Sequence, residues 1–347
     1  MNLITRWDDL KKQTPHLRIR DAADQLGVSE AELLATGLGT TVTRLDRDAA
    51  GLLHALPTVG RCMALTRNSS CVNEVKGTYD GVELGPHAGQ VVGDGIDLRV
   101  FVGTWQHIFA VNEADPTKEG ARRRSIHVFD NAGTAIHKVY LQHEGGNVDA
   151  WDALVAKHTA DLPLVIESAP PAPTELPDDA VDVTGLHEAW DAMQDTHEFF
   201  LLLRKFKVTR TQALRLAGPT RARQVATTSM RELLEAAALS HDKIMIFVGN
   251  RGCIQIFSGA VANIKIMGPW LNVLDPGFNL HLRADHIVTS WVVSKPTKSG
   301  TVTSLELFDA AGETIALVFR KRDDRELAED PAWSALLAKL SPLGATA

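Results

Sequence analysis

The segment DTHEFF at 195–200 offers the clearest chemistry in this chain, because it holds a histidine, His197. Imidazole is a common metal ligand, and it also takes up or releases a proton near neutral pH. The chain consists of two related halves, and the first half has no counterpart of this segment. A duplicated fold keeps in both copies what both need for packing, so a residue type found in one copy is a candidate for work done once per molecule.

The two halves repeat the same residue types at a nearly constant separation. The most direct matches are Met63, Asn68, Cys71 and Gly77 with Met245, Asn250, Cys253 and Gly259, and SIHVFDNAGTAI at 125–136 with SLELFDAAGETI at 304–315. Two copies of a long unit predict two domains that face each other, and they exclude a solenoid or a propeller. At roughly 150 residues per domain, the 347 residues also predict two domains. We expect domains at 1–162 and 181–347, joined by a stiff proline-rich linker at 163–180.

In each half, helical patterns come before strand patterns. Helical hairpins are predicted for 17–36 and for about 186–217, with a break in the second near Val208. Short segments rich in β-branched and aromatic residues then follow one another without intervening helices, which indicates antiparallel sheets. We therefore expect an α+β protein of two repeated domains, each an antiparallel sheet with flanking helices, that face each other across a central cleft.

Spacing places His197 on a mostly apolar face of its predicted helix. Trp190, Met193, Leu201 and Arg204 share that face. A single histidine in such a place is more often a hydrogen-bonded core residue than a ligand. Spacing alone leaves both interpretations open.

Strand alternation gives each half a second, more polar face. In the first half this face carries Asp97, Arg99 and Phe101, and the opposite face carries Leu98, Val100 and Val102. In the second half it carries Asn279, His281 and Arg283, and the opposite face carries Leu280 and Leu282. In the same way Trp291, Val293 and Lys295 share a face, which brings a cation to the end of an aromatic-lined strand. Any one of these basic residues, taken alone, is more typical of a solvated surface charge.

Composition excludes several classes of protein. The net charge of −7 and the pI near 6.0 argue against broad nucleic-acid binding. No apolar run approaches the roughly 20 residues that span a bilayer, so membrane insertion is not expected. Three cysteines without a CxxC pair fit a reducing cytoplasm, and the lack of CxxCH excludes covalent c-type haem attachment.

A series of motifs runs nearly from end to end of the chain. They are GRCMALTRN, GTYDGV and DLRVF in the first half, and DTHEFF, MIFVGNRGCIQIFSG, WVVSKPT and SLELFDAAGETIALVFRKR in the second. Because it carries these motifs in this order, the chain resembles the cytoplasmic HmuS/HemS-type haemin transport or haemin-degrading proteins of Gram-negative bacteria. The resemblance implies one non-covalent haem b, bound between the two domains as cargo or substrate.

The resemblance also implies roles for particular residues. His197 matches the axial iron ligand, and Arg99 matches a distal residue that hydrogen-bonds an iron-bound water or hydroxide. Phe101 would cover the porphyrin. The remaining matches are Met245 and Phe247 along the macrocycle, where core packing is an equal alternative, and Lys295 and Arg322 at the propionates.

The chain departs from the family pattern at three points. Its two tyrosines, Tyr79 and Tyr140, both lie in the first half, so no tyrosine is expected near the propionates. Phe257 stands where many relatives have histidine. No second histidine follows His197 in its helix, which argues against alternative axial ligation from there.

Two functions remain. A haem carrier would accept imported haem and pass it to a haem oxygenase or a store, with an inner-membrane haem importer as a further partner. A haem-degrading enzyme would open the porphyrin with oxygen or peroxide, with Arg99 on the distal side. No flavin or nicotinamide motif occurs, so its electrons would come from outside, and we favour the carrier. A nucleic-acid-binding or oxidative-protection role is disfavoured by the acidic net charge, and monomer and dimer both stay open.

Overall fold

The structure, a computed structural model, describes residues 2–169, 171, 174–321 and 331–343. These residues divide into two compact units. Unit 1 contains 2–67, 74–169 and 249–255, and unit 2 contains the remainder. Each unit therefore includes one short segment from the other half of the sequence, which is 249–255 for unit 1 and 68–73 for unit 2.

The first half of the chain begins with helices and continues with strands. Its helices are α1 (Leu3–Gln13), α2 (Ile19–Leu26), α3 (Glu30–Ala35), α4 (Ala49–Ala55) and α5 (Val148–His158). Its strands are β1 (Val42–Leu45), β2 (Gly60–Arg67), β3 (Cys71–Gly77), β4 (Val82–Leu84), β5 (Gly89–Val92), β6 (Asp97–Val100), β7 (His107–Ala114), β8 (Arg122–Phe129) and β9 (Ala135–Gly146). Neighbouring strands follow the order β1-β7-β8-β9-β2-β3, and β4, β5 and β6 form an antiparallel meander.

The second half repeats this plan. Its helices are α6 (Val183–Asp191), α7 (Glu198–Phe206), α8 (Arg210–Leu216), α9 (Ser229–Ser240) and α10 (Pro331–Ala338). Its strands are β10 (Ala222–Val225), β11 (Ile244–Gly249), β12 (Cys253–Gly259), β13 (Ile264–Met267), β14 (Trp270–Leu274), β15 (Phe278–Arg283), β16 (Thr289–Thr297), β17 (Gly300–Phe308) and β18 (Thr314–Arg320). The order β10-β16-β17-β18-β11-β12 reproduces that of the first half strand for strand. The predicted α+β class, with repeated antiparallel sheets and flanking helices, is confirmed.

The two helical hairpins, α2–α3 and α7–α8, are built from matching caps. Gly27 ends α2 and Lys207 ends α7, both with left-handed backbone at φ 65° and 53°. Two residues later Ser29 and Thr209 begin the next helices, each accepting a backbone N–H through its hydroxyl oxygen. Since both pairs of caps lie 180 residues apart in sequence, the position that corresponds to His197 in the first hairpin is Leu17.

The prediction that one helix continues through His197 is wrong. Helix α6 ends at Asp191, and α7 starts at Glu198, whose N–H donates to the carbonyl of Asp195 at 3.1 Å. The turn between them interrupts the helical spacing. Trp190 and Met193 are therefore buried, whereas Leu201 is 62% exposed, and the single apolar face predicted for these residues and His197 does not exist.

Helices α6, α7 and α8 pack their apolar sides into the core of unit 2. Phe199 and Leu202 on α7 are buried beside Trp190 and the strand residues Val293 and Phe308. Burying a side chain of this size contributes about 1.5–3 kcal/mol relative to leaving it in water. This packing holds α7 firmly and fixes where the residues at its start are placed.

Within the described residues, no helix is long and apolar enough to cross a membrane.

The repeated asparagines hold the segments that each unit takes from the other half. In unit 1, Asn250 accepts the backbone N–H of Cys253 at 3.0 Å and donates its amide to the carbonyl of Ile136 at 2.8 Å. In unit 2, Asn68 likewise donates to the carbonyl of Ile315 at 2.8 Å. Both residues of this repeated pair therefore have a structural role.

Candidate functional site around His197

His197 lies at the boundary between the α6–α7 turn and α7, and its side chain points into solvent. The side chain is 91% exposed, so His197 is not a core histidine. Its Nδ1 lies 2.6 Å from Oδ1 of Asp195, and its backbone N–H donates to the same oxygen at 2.8 Å. A carboxylate cannot donate, so Nδ1 carries the proton and the lone pair of Nε2 is left for a ligand.

Asp195 is a neighbour of His197 that the sequence analysis did not single out. The backbone and side-chain hydrogen bonds from His197 lower the pKa of its carboxyl. An aspartate that accepts the N–H two residues on forms an Asx turn, and such turns commonly precede helices. The sequence Asp-Thr-His before an apolar run carries that signal.

Phe199, two residues beyond His197, anchors the start of α7. Its ring packs edge to face with Trp190, with ring centroids 4.8 Å apart. The ammonium of Lys295 lies 4.5 Å from the ring centroid, and the guanidinium of Arg210 lies 5.0 Å from it. Both cations thus contact the aromatic ring that holds the turn in place.

Lys295 is buried, and it is paired with Glu306. Its Nζ lies 2.6 Å from Oε1 of Glu306, whose other oxygen accepts Nε of Arg210 at 2.7 Å. Burial lowers the pKa of Lys295 to about 8, although Glu306 opposes the shift. Burial also opposes the charge of Glu306, but Arg210 and Lys295 lower the pKa of its carboxyl. The role predicted for Lys295 at the propionates stays a prediction, because its ammonium already has a carboxylate partner here.

The outer side of α7 presents an apolar strip that begins at His197. Phe200 and Leu201 are 63% and 62% exposed. Arg204 follows one turn later, with its guanidinium 5.8 Å from the ring centroid of Phe200. At 1.5 Å per residue, this strip extends about 10 Å from the histidine. A flat apolar molecule held by His197 could lie against it.

Met245 and Phe247 share one face of β11, as predicted. Ile244, Ile246 and Val248 on the opposite face are fully buried, whereas Met245 and Phe247 are only partly buried. The rings of Phe247 and Phe319 meet edge to face, with centroids 5.0 Å apart. This partly exposed apolar surface is of the kind that could contact a macrocycle.

Arg99 belongs to unit 1, where it projects from β6 beside an open cleft of about 430 Å³. Its side chain is 38% exposed, pairs with Asp97, and donates to the carbonyl of Leu98 at 3.1 Å. Gln90 and Glu83 line the same cleft, and their side chains hydrogen-bond each other at 2.7 Å. Leu98 and Val100 on the other face are fully buried, which confirms the predicted alternation over 97–100.

The other predicted residues are placed differently. Phe101 follows the end of β6, where the chain enters a short 3-10 turn, and its N–H donates to the carbonyl of Gly252 at 3.0 Å. The prediction that it continues the strand is therefore wrong, although it stays partly exposed. Phe257 stacks on Phe278 with ring centroids 3.6 Å apart. Arg322 lies outside the described residues.

A multidentate metal centre does not fit what is described. No group of three or more histidine, cysteine, aspartate or glutamate side chains within the described residues could hold a metal ion. A single exposed imidazole with a free Nε2 instead suits a metal whose other ligands come with the bound molecule, as in a metalloporphyrin.

Comparison with known protein families gives two matches along the chain. The model of the haemin-degrading HemS.ChuX domain matches residues 27–158 and again residues 207–340. Two curated relatives are hemin transport proteins. HmuS of Yersinia pestis is 38% identical and HemS of Yersinia enterocolitica is 40% identical, and each alignment covers 98% of this chain and 97% of the relative.

Two solved structures resemble this one over nearly its whole length. Holo-PhuS, a heme-binding protein from Pseudomonas aeruginosa, aligns with a TM-score of 0.94 and 44% identity, covering 98% of this chain and 99% of its own. ChuS, a heme degrading enzyme from Escherichia coli O157:H7, aligns with a TM-score of 0.90 and 36% identity over the same shares. The likeness therefore extends over both halves of the chain.

Proposed function

The chain belongs to the family of haemin-degrading HemS.ChuX domain proteins, and on that premise we propose that it binds one haem b through His197 and passes it on for iron utilisation. The observation that carries the proposal is the exposed imidazole of His197, with Nδ1 held by Asp195 and Nε2 free. Neutral imidazole is a suitable axial ligand for haem iron, and a single histidine leaves the sixth position open.

Three further features support haem as the ligand. The strip formed by Phe200 and Leu201 beside His197 is apolar and exposed, as a surface that packs against a porphyrin face must be. Met245 and Phe247 present a second partly exposed apolar face in unit 2. In unit 1, the half-exposed guanidinium of Arg99 is suited to hydrogen-bond a water or hydroxide on iron.

Replacing the ligand tests the proposal directly. We expect His197→Ala to abolish the 1:1 haem complex or to weaken it greatly, because the iron loses the imidazole that would bind it. The measurement is a titration with haemin followed by the Soret band, with circular dichroism to establish that the variant is folded.

His16→Ala is the matched control. His16 is an exposed histidine next to Leu17, which occupies the position of His197 in the first hairpin. It should bind haem as the wild-type protein does. An unchanged Soret spectrum and affinity for His197→Ala would reject the ligand assignment.

Oxidative opening of the porphyrin is the second candidate function. Arg99 in its open cleft favours it, since a distal guanidinium could stabilise an oxygen ligand, and the relative ChuS is described as a heme degrading enzyme. The haem complex should be given an electron-donating reductase, oxygen and catalase. A single open-chain isomer formed over many turnovers would favour the enzyme, whereas intact haem transferred to an added haem oxygenase would favour the carrier.

We also propose that the protein acts in the cytoplasm, between an inner-membrane haem importer and a haem oxygenase. Cys62, Cys71 and Cys253 are buried and unpaired, which fits a reducing compartment. Burial raises the pKa of Cys62 and of Cys253 to about 12, so these thiols are not poised to react.

A further inference from the structure

We propose that Asp195 is a positioning residue that fixes the tautomer of His197 and strengthens electron donation from its Nε2 to haem iron, so that ferric haem is favoured over ferrous haem. This inference rests on the proposed function, because it assigns a partner to the same axial ligand. It also explains why the protein would hold its haem cargo in the ferric state.

The hydrogen bond between the two side chains selects one tautomer. Oδ1 of Asp195 accepts from Nδ1 of His197 at 2.6 Å and from the His197 backbone N–H at 2.8 Å. With the proton held on Nδ1, the lone pair on Nε2 is the one available to iron. Without Asp195, an imidazole that is 91% exposed would also populate the form with the proton on Nε2, which cannot bind a metal through that atom.

The turn that carries Asp195 is itself held at several points. The carbonyl of Asp195 accepts the N–H of Glu198 at 3.1 Å. The neighbouring Gln194 donates its N–H to the carboxylate of Glu198 at 3.1 Å, and its carbonyl accepts the N–H of Lys298 at 3.0 Å. The carboxylate is thus in place before any ligand arrives, and the geometry does not have to be formed on binding.

A carboxylate that accepts from a metal-bound histidine makes the histidine a stronger donor. Negative charge shifted toward Nε2 stabilises Fe³⁺ more than Fe²⁺, and it therefore lowers the reduction potential of the haem. Since oxygen binds to ferrous haem, a preference for the ferric state keeps haem unreactive toward oxygen during transport. This consequence suits the carrier function proposed above.

A purely structural role for Asp195 is the alternative. The carboxylate also accepts the backbone N–H of His197 in an Asx turn before α7, and such a turn would form without any effect on the iron. The two roles differ in the tautomer of His197 and in the electronic properties of bound haem. Stability measurements alone would not separate them.

The tautomer can be measured in the haem-free protein. Long-range ¹H–¹⁵N correlation spectra should show the proton of His197 on Nδ1 in the wild type and a mixture of both tautomers in Asp195→Ala. Asp195→Asn, which keeps a weaker acceptor, should give an intermediate result. Asp191→Asn is the matched control, since Asp191 lies at the end of α6 and pairs with Arg221 rather than with His197.

The effect on iron is measured in the haem complex of the same variants. We expect ferric haem to bind about 10–100-fold more weakly to Asp195→Ala than to the wild type. The preference for ferric over ferrous haem should fall about tenfold, which raises the midpoint potential by about 59 mV for one electron. The iron–imidazole stretching band of the ferrous form should move to lower frequency, with Asp195→Asn between the two and Asp191→Asn unchanged.

The outcomes separate this inference from the proposed function. If Asp195→Ala keeps the wild-type tautomer, potential and stretching band, Asp195 only stabilises the turn before α7 and the inference is overturned. If His197→Ala keeps the haem complex of the wild type, the proposed function fails, and the role of Asp195 toward iron fails with it.

Discussion

At the scale of single residues, His197 and Lys295 have opposite surroundings, since the imidazole is exposed whereas the ammonium is buried and paired with Glu306. His197 could be singled out because it is unduplicated and lies in a family motif. Its exposure could not, because the apolar spacing continued through the turn before α7 and hid the break. The pairing of Lys295 with Glu306 depends on packing between neighbouring strands, which no local pattern encodes.

Another histidine, His137, gives a prediction about pH. It is buried in unit 1 between the hydroxyls of Thr66 and Tyr79, at 2.8 and 2.6 Å, and burial lowers its pKa from 6.5 to about 3. Between these values the unfolded chain holds a proton that the folded chain does not. The free energy of unfolding should therefore be fully retained above pH 6.5 and fall as pH drops toward 3, by about 1.4 kcal/mol per pH unit for this group.

Urea unfolding at several pH values between 7 and 4 measures this slope. His137→Gln keeps polar atoms in the same place but does not titrate, so its unfolding free energy should depend less steeply on pH. His16→Gln, at an exposed histidine, should retain the wild-type slope. Parallel pH profiles for the wild type and His137→Gln would contradict the assignment.

At the scale of elements, the strands were predicted well and the helix termini less well. Strands β11 and β18 form within the predicted segments KIMIFVGN and TIALVFRKR, because alternation and β-branched residues report burial of one face. The break near Val208 was also predicted. The interruption at 192–197 was not, because the hydrogen bonds of the Asp195 and Glu198 side chains that hold this turn are not reported by the spacing of apolar residues.

The paired helix ends give a second prediction. Lys207 holds a left-handed backbone at φ 53°, a conformation that costs a residue with a Cβ roughly 1–2 kcal/mol, whereas its counterpart Gly27 holds φ 65° without that cost. We expect Lys207→Gly to raise the free energy of unfolding by about 0.5–1 kcal/mol, because the greater freedom of unfolded glycine offsets part of the gain. Chemical denaturation measures it.

Gly27→Ala is the reciprocal test. A Cβ added at Gly27 meets no atom within 4 Å, so the variant suffers no steric clash, and its left-handed backbone strain outweighs the lower entropy of the unfolded chain. It should lose about 1 kcal/mol of unfolding free energy. A loss of stability in Lys207→Gly would show that the lysine side chain contributes more at this helix end than its backbone costs.

At the scale of the whole molecule, duplication was the most reliable prediction. Motifs that repeat at one offset in the sequence predicted two similar halves. The strand orders of the two halves match element for element. The segments that the units take from each other were not predicted. Asn68 and Asn250 were recognised as a repeated pair, but their partners lie far away in sequence, and residue spacing carries no information about such contacts.

The segment at 249–255 also bears on how the protein is made. Gln255 donates to the carbonyl of Ala64, and Thr66 contacts Cys253, so unit 1 is completed by residues that follow more than 180 positions later. At 5–20 residues per second, the ribosome needs on the order of 10 s to pass from residue 169 to residue 255. During that time the nascent first half lacks segment 249–255 of unit 1. We therefore expect unit 1 to complete its folding only when much of the second half has been synthesised.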